Sequence, residues 1–338
     1  MHFGVFDHID SNGMAVGEQY EQRLALAERY DALGFYCYHL TEHHATELGR
    51  GSSPSVFLSA VAQRTRRMRI GTLIYILPLH HPVRLLEEIG MLDQLSGGRF
   101  QLGVGRGGQP AEHSRFGLAE EDLGPMFEEA LEIVMQGLDE GRVAHEGRYW
   151  SLPETPLLIR PVQQPHPPLW YGTGSTHRNA WAAQHDVNLL CLTPNERSAA
   201  IFADYRDHLA RLGKTGAKEP FIGLARQMVV ADTDAEAERI AERGWAKFVQ
   251  SFNWLVNRLG RPAAPIAPTY ADAVKRGMAF AGSPASARDF VAEAHAAGAN
   301  YMALELAFGD LSEAEVARSA ELFAAEVMPA FAPADAEG

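Results

Sequence analysis

The sequence predicts a parallel (β/α)8 TIM barrel with insertions after its fourth and seventh strands. Two features point to it: eight runs of strand length, most of them near-continuously apolar, and helical patterns lying between them. A third weakens the chief rival. No GxGxxG follows the first strand, as a doubly wound dinucleotide-binding sheet would lead one to expect. The 338 residues are read as one domain, 1–338, since α/β barrels run long as single units.

The strand-like runs are 3–7, 35–40, 69–76, 99–104, 168–172, 187–192, 221–231 and 300–307. Between the first two, residues 17–33 place Tyr20, Leu24 and Ala27 on one stripe with Leu26, Tyr30 and Leu33 beside it, and Gly34 supplies a C-terminal cap. Residues 82–95 open with Pro82, suited to a first helical turn, and repeat Leu85, Ile89 and Leu92. Residues 284–297 form the helix that ends at Gly298 before the last strand. The insertion 105–167 holds a helix and the Pro-rich RPVQQPHPP. The insertion 245–283 holds a helix, then GRPAAPIAP, read as part of a mobile loop over 257–283. Residues 332–338 read as a disordered tail.

Composition excludes several classes. The net charge of −13 argues against nucleic acid and anionic membrane as partners. No apolar stretch approaches the roughly 20 residues that span a bilayer, and MHFGVFDHID lacks the features of a signal peptide. Cys37 and Cys191 sit in apolar runs and read as reduced core residues, so the expected location is cytoplasmic.

In a barrel of this kind the active site lies at the C-terminal ends of the strands. Glu42, His43 and His44, in HLTEHHATELG, follow the second strand and would project into that mouth. A histidine there can move one proton near neutral pH; the plainer alternative is a pair held by local hydrogen bonds. Metal binding is the weakest reading, because adjacent residues chelate one ion poorly and no HExxH is present. Arg106, fixed among glycines in GVGRGG, suits a phosphate or a rim salt bridge. Gly174, Ser175 and Thr176, in GTGSTHRNAW, read as the start of a helix that binds an anion or simply caps itself, with Arg178 adding charge.

TEHHATELG, GTLIYILPLHHPVRLLEEIGMLDQLSGGRFQLGVGRG and ELFAAEVMPAF together resemble the bacterial luciferase-like flavin monooxygenases, above all the group containing the luciferase α-subunit. That resemblance covers most of the chain. It implies a barrel that binds reduced FMN, supplied by a separate NAD(P)H:flavin reductase, and reacts it with O2 at C4a to oxygenate a small organic substrate. It implies His43 at the reactive edge of the flavin, with Glu42 orienting it or lying in a neighbouring polar layer, and His44 beside them. Arg106 and the Gly174–Thr176 turn would hold the phosphate, so that residues 43 and 106 face one hollow from opposite ends of the nucleotide. A non-proline cis peptide at Leu73–Ile74 beneath the flavin ring, and a homodimer, are implied in the same way. Two alternatives stay open: a deazaflavin-dependent hydride-transfer enzyme, and a noncatalytic flavin-binding relative. Two departures from the luciferase α-subunit stand out. Gly105 replaces a reactive cysteine, which would open space beside the flavin, and Gly174 replaces an acidic residue. Both argue against luminescence and a long-chain aldehyde substrate.

Overall fold

The computed structural model describes residues 1–216, 219–263 and 266–332, so the predicted tail lies, but for Ala332, outside the described residues. Twelve strands are described: β1 (His2–Asp7), β2 (Cys37–Leu40), β3 (Arg69–Thr72), β4 (Tyr75–Ile76), β5 (Phe100–Gly105), β6 (Arg142–Glu146), β7 (Ser151–Pro156), β8 (Leu169–Thr173), β9 (Asn188–Cys191), β10 (Ile222–Val230), β11 (Ala279–Gly282) and β12 (Tyr301–Glu305). Eight of them close a parallel barrel in the order β1-β2-β3-β5-β8-β9-β10-β12, with β12 returning to β1. The register runs continuously across that seam: Val5 pairs with Tyr38 on one side and Leu304 on the other.

Helices cover the outside: α1 (Val16–Leu33), α2 (Pro54–Arg64), α3 (Pro82–Ser96), α4 (Pro110–His113), α5 (Glu120–Glu140), α6 (Asn179–Gln184), α7 (Asn195–Arg211), α8 (Asp234–Arg258), α9 (Tyr270–Lys275), α10 (Pro284–Ala296) and α11 (Glu313–Leu322). The predicted stops hold. Gly34 ends α1 in the left-handed conformation, and Pro82 and Pro284 open α3 and α10. Helix α1 differs in its buried face. Tyr20 and Leu24 are only half-buried, whereas polar Gln19 and Arg23 are buried with Leu26, Ala27 and Tyr30. The end of β1 explains this: Gln19 donates to the Asp10 carbonyl at 2.6 Å, and Arg23 pairs with Asp7 at 3.2 Å.

Three elements depart from the expected order. The third run, 69–76, is two strands, β3 and β4, separated by Leu73–Ile74, whose peptide bond is cis. The 105–167 insertion contains the antiparallel hairpin β6–β7 as well as helices. Its strands are largely exposed and β7 carries two prolines, so they lack the apolar run of a buried strand. The helix assigned to 245–283 begins at Asp234, and the segment beyond it forms α9 and β11, the latter pairing with the outer half of β10. Trp245 Nε1 donates to the Ala267 carbonyl at 3.1 Å, which ties part of the 257–283 loop to α8; residues 264 and 265 of that loop lie outside the described residues.

Side chains alternate across each strand, so one set points into the barrel. That set includes Phe6, Leu73, Trp170, Leu190, Ala225, Tyr301 and Ala303, a cluster distinct from the larger strand–helix core. Tyr301 and Trp170 pack with ring centroids 4.8 Å apart, and the Tyr301 hydroxyl reaches His39 Nε2 at 2.8 Å. Burial pushes His39 down to about 3, so it stays a neutral imidazole. Gly4 makes room for the tyrosine, since a Cβ there would lie 1.9 Å from its hydroxyl. These aromatic residues pack the barrel interior, and two chambers open at the C-terminal mouth.

Candidate active site

Two adjoining chambers occupy that mouth. One, of about 470 Å³, is lined by residues from the ends of β2, β4, β5, β8 and β9 together with Leu73 and Ile74. The other, of about 590 Å³, extends beneath α8, Arg261, Pro262, Ala263 and Ile266. Phe6, His8, Gly108, Gln109 and Leu192 line both.

His43 and Arg106 face the smaller chamber together, as expected. The partner of His43 is not Glu42. Its Nδ1 lies 2.9 Å from Glu112, carried 69 residues away on the short helix α4. The other Glu112 oxygen accepts the His44 backbone N–H at 2.9 Å. A carboxylate only accepts, so this network assigns the hydrogen to His43 Nδ1 and leaves Nε2 as the free basic nitrogen.

Of the two roles open to Glu42, the structure gives the polar layer. Its carboxylate is buried and accepts from His44 Nε2 at 2.8 Å, His80 Nε2 at 2.9 Å and the Ile76 N–H at 2.7 Å. It therefore clamps the backbone just after the Leu73–Ile74 bond. His44 turns onto Glu42 and packs against Phe116, away from the smaller chamber. Burial is the largest influence on Glu42 and pushes its carboxyl up, but the bonds from His44, His80 and Ile76 hold it below the ordinary 4.5. The folded state thus binds that proton less tightly than the unfolded chain. Its stabilisation is complete above the unfolded value and is lost as pH falls through the lowered folded value. Urea midpoints measured against pH should fall less steeply in acid for Glu42→Gln than for the native chain; equal slopes would remove Glu42 from the acid response.

Arg106 is exposed at the chamber wall, and its guanidinium makes no hydrogen bond or ion pair among the described residues. Gly105, Gly107 and Gly108 flank it, and Gly172 and Gly174 lie on the same wall, so bare backbone lines this end. Gly107 has φ +81°, and a Cβ there would meet His113 Nε2 at 2.5 Å and Ile76 Cγ2 at 2.9 Å. His113 is buried with both ring nitrogens unpartnered among the described residues. Gly107→Ala should cost about 1–3 kcal/mol through the forced backbone and the clash, read from denaturant unfolding. Gly105 does not open the site. The place of its missing Cβ is taken by Ile74 Cδ1, 2.2 Å away, so the glycine admits Ile74 rather than a ligand.

The GTGST turn is less compact than expected. Gly174 lines the chamber, but Ser175 and Thr176 are exposed residues outside its lining, and α6 begins only at Asn179. The Ser175 N–H is already bound by Thr173 Oγ1 at 3.2 Å. Arg178 turns to another surface, where it pairs with Glu128 and lies 4.9 Å from the Phe127 ring centroid. Its charge is used there, so it does not join Arg106.

Sequence reading missed His8, Glu112, Gln227 and Glu305. His8 Nδ1 lies 2.6 Å from Glu305, whose other oxygen accepts from Gln227 Nε2 at 2.6 Å. The His8 and His43 rings stack with centroids 5.4 Å apart. A signal existed for His8 and Glu305, which sit at the C-terminal ends of the first and last strands as His43 does near the second. None existed for Glu112, which lies in an insertion.

Among the described residues no group of three or more His, Cys, Asp or Glu side chains is arranged to hold a metal, and no helix is long and apolar enough to cross a membrane. Cys37 and Cys191 are buried free thiols.

A family model for luciferase-like monooxygenases matches residues 1–301. The chain is 39% identical to the uncharacterised protein y4wF of Sinorhizobium fredii (strain NBRC 101917 / NGR234) over 311 residues, 91% of each chain. It is 26% identical to the oxygenase component of a flavin-dependent trigonelline monooxygenase of Acinetobacter baylyi (strain ATCC 33305 / BD413 / ADP1), over 70% of this chain and 67% of that one. Among solved structures, monooxygenase RslO1 from Streptomyces bottropensis superposes with a TM-score of 0.89 at 26% identity, over 98% of this chain and all of that one.

Proposed function

The chain belongs to the luciferase-like monooxygenase family, and from that premise we propose that it uses reduced FMN and O2 to oxygenate a small organic substrate. The observation that carries the reading is the placement of an unpaired Arg106 and a carboxylate-held His43 on one chamber.

The residues present fit the cofactor. Arg106 offers a two-pronged cation to a phosphate, and the glycines at 105, 107, 108, 172 and 174 leave backbone for close approach. Leu73 and Ile74 form an apolar floor for a flat ring. Thr41 Oγ1 is buried on the wall without a partner among the described residues, a polar atom a ligand edge would satisfy. When bound, reduced FMN supplies the electrons that activate O2.

The chain does the rest. Arg106 anchors the phosphate, and that remote binding energy positions the ring. Glu112 orients the His43 imidazole, whose free Nε2 takes or gives one proton per turnover at the reacting edge. The wall formed by α8 and the tethered 266–267 segment keeps water from the larger chamber. A separate NAD(P)H:flavin reductase delivers the reduced cofactor, and the working form is a homodimer.

Mixing reduced FMN and air with the protein tests the reading. The appearance of oxidised FMN should be delayed relative to free flavin; reoxidation at the free-flavin rate retires the oxygenase reading and favours a simple binder. Fluorescence titration with FMN and with a deazaflavin separates the two cofactors.

A further inference from the structure

The larger chamber has an asymmetric lining. One face of α8 contributes Trp245, Phe248, Phe252 and Val256, spaced three to four residues apart as a helical stripe requires, and Phe6 faces them. The polar side chains at its floor are His8 and Glu305, at the ends of β1 and β12, and Gln227, paired in register with Glu305 on β10; Gln109 and Arg261 complete the polar lining. His8 sits on the wall common to both chambers, so any group it touches lies beside the place assigned to the reactive edge of the flavin.

The floor is built as an acid–base unit. Glu305 accepts from Gln227 through one oxygen and from His8 Nδ1 through the other, which leaves His8 Nε2 as the free nitrogen. Phe6 and Phe248 stand edge-on to the imidazole at 5.1 and 5.5 Å, so a ligand reaching His8 does so between aromatic rings. Charged groups around His8 are Glu305, Asp7 and Asp10, with the His43 ring stacked on it. Burial is the largest influence and lowers the His8 imidazole; those carboxylates outweigh it and raise it above its ordinary value.

We propose that the larger chamber takes an aromatic substrate bearing a weakly acidic hydroxyl, and that His8, held by Glu305, is a second catalytic residue that accepts the proton of that hydroxyl. The step breaks the substrate O–H bond and forms N–H at His8 Nε2. The electron pair stays on oxygen, Glu305 stays ionised, and nothing is oxidised or reduced. Its purpose is to enrich the ring carbons beside the oxygen before oxygen transfer. The transfer itself draws on reduced flavin and O2, so this assignment rests on the monooxygenase reading above.

4-Nitrophenol tests it without flavin, because its ionised form has its own visible band. The native chain should bind it, with a larger ionised fraction than in free solution at the same pH. His8→Gln should weaken binding about tenfold and abolish the extra ionisation, while the methyl ether 4-nitroanisole binds both proteins alike. Glu305→Gln, a second variant of unchanged size, should lower the ionised fraction while still binding the ether. No binding by the native chain, equal nitrophenol affinity in native and His8→Gln proteins, or an equal loss for the ether would each overturn the assignment. FMN quenching on the same samples keeps the two readings apart. A chain that ionises nitrophenol through His8 yet ignores FMN loses the flavin reading and retains the hydroxyl site.

Discussion

His43→Ala is expected to lower turnover by about two to four orders of magnitude, the usual worth of a positioned acid–base group, while FMN affinity stays nearly intact. The two halves have separate physical grounds. Turnover falls because the imidazole on the smaller chamber is lost and its neighbours have other places: His44 is bound to Glu42 and turned away, and His8 is assigned to the substrate hydroxyl of the larger chamber. Affinity survives because the imidazole is one part of a wall whose anchor is elsewhere, at Arg106 and the glycine-lined end. Glu112→Gln should reproduce a smaller part of the loss, since the amide keeps the shape of the contact but no longer fixes the hydrogen on Nδ1. Steady-state turnover with a reductase supplying FMN, beside quenching titrations of each variant, measures both quantities. Unchanged turnover in His43→Ala would remove its catalytic role.

Arg106→Ala is expected to act on the other quantity. A charge-assisted pair to a phosphate contributes about 1.5–3 kcal/mol, so FMN affinity should fall by about tenfold to a hundredfold, with turnover at saturating FMN much less affected. Riboflavin sharpens the test because it lacks the phosphate. Its affinity should be low for the native chain and unchanged by the substitution. A parallel loss for FMN and riboflavin would mean that Arg106 supports the wall rather than the phosphate. The guanidinium has no partner among the described residues to leave stranded, so the variant should unfold at nearly the native denaturant concentration.

The placement of these two residues on one chamber was readable in advance, and the reasons are local. Each lies within a few residues of a strand's C-terminal end, and the barrel sends such residues to one mouth whatever the rest of the sequence does. The cis bond at Leu73–Ile74 came from resemblance instead, since nothing in an apolar strand distinguishes it. Other expectations were narrowed or overturned for equally physical reasons. Glu42 is next to His43 in sequence, but adjacent residues point differently, and its carboxylate turns to His44, His80 and the Ile76 N–H. Arg178 looked like a phosphate ligand because it follows a glycine-rich turn; three further residues carried it to Glu128 on the outer surface. Gly105 looked like an opening, and its space went to Ile74.

By itself, the chain's sequence determined the barrel, its insertions and the end at which the candidate site lies. Those depend on periodicity and turn residues, which are properties of neighbours along the chain. Only the tertiary structure decided which imidazole meets which carboxylate: His43 with Glu112 across 69 residues, and His8 with Glu305 across 297. Closing the sheet brings the first strand beside the last, and folding the insertion back over the mouth brings α4 onto the second strand's end. Such pairings are set by where strands and loops finish in space, which no local pattern of residues records.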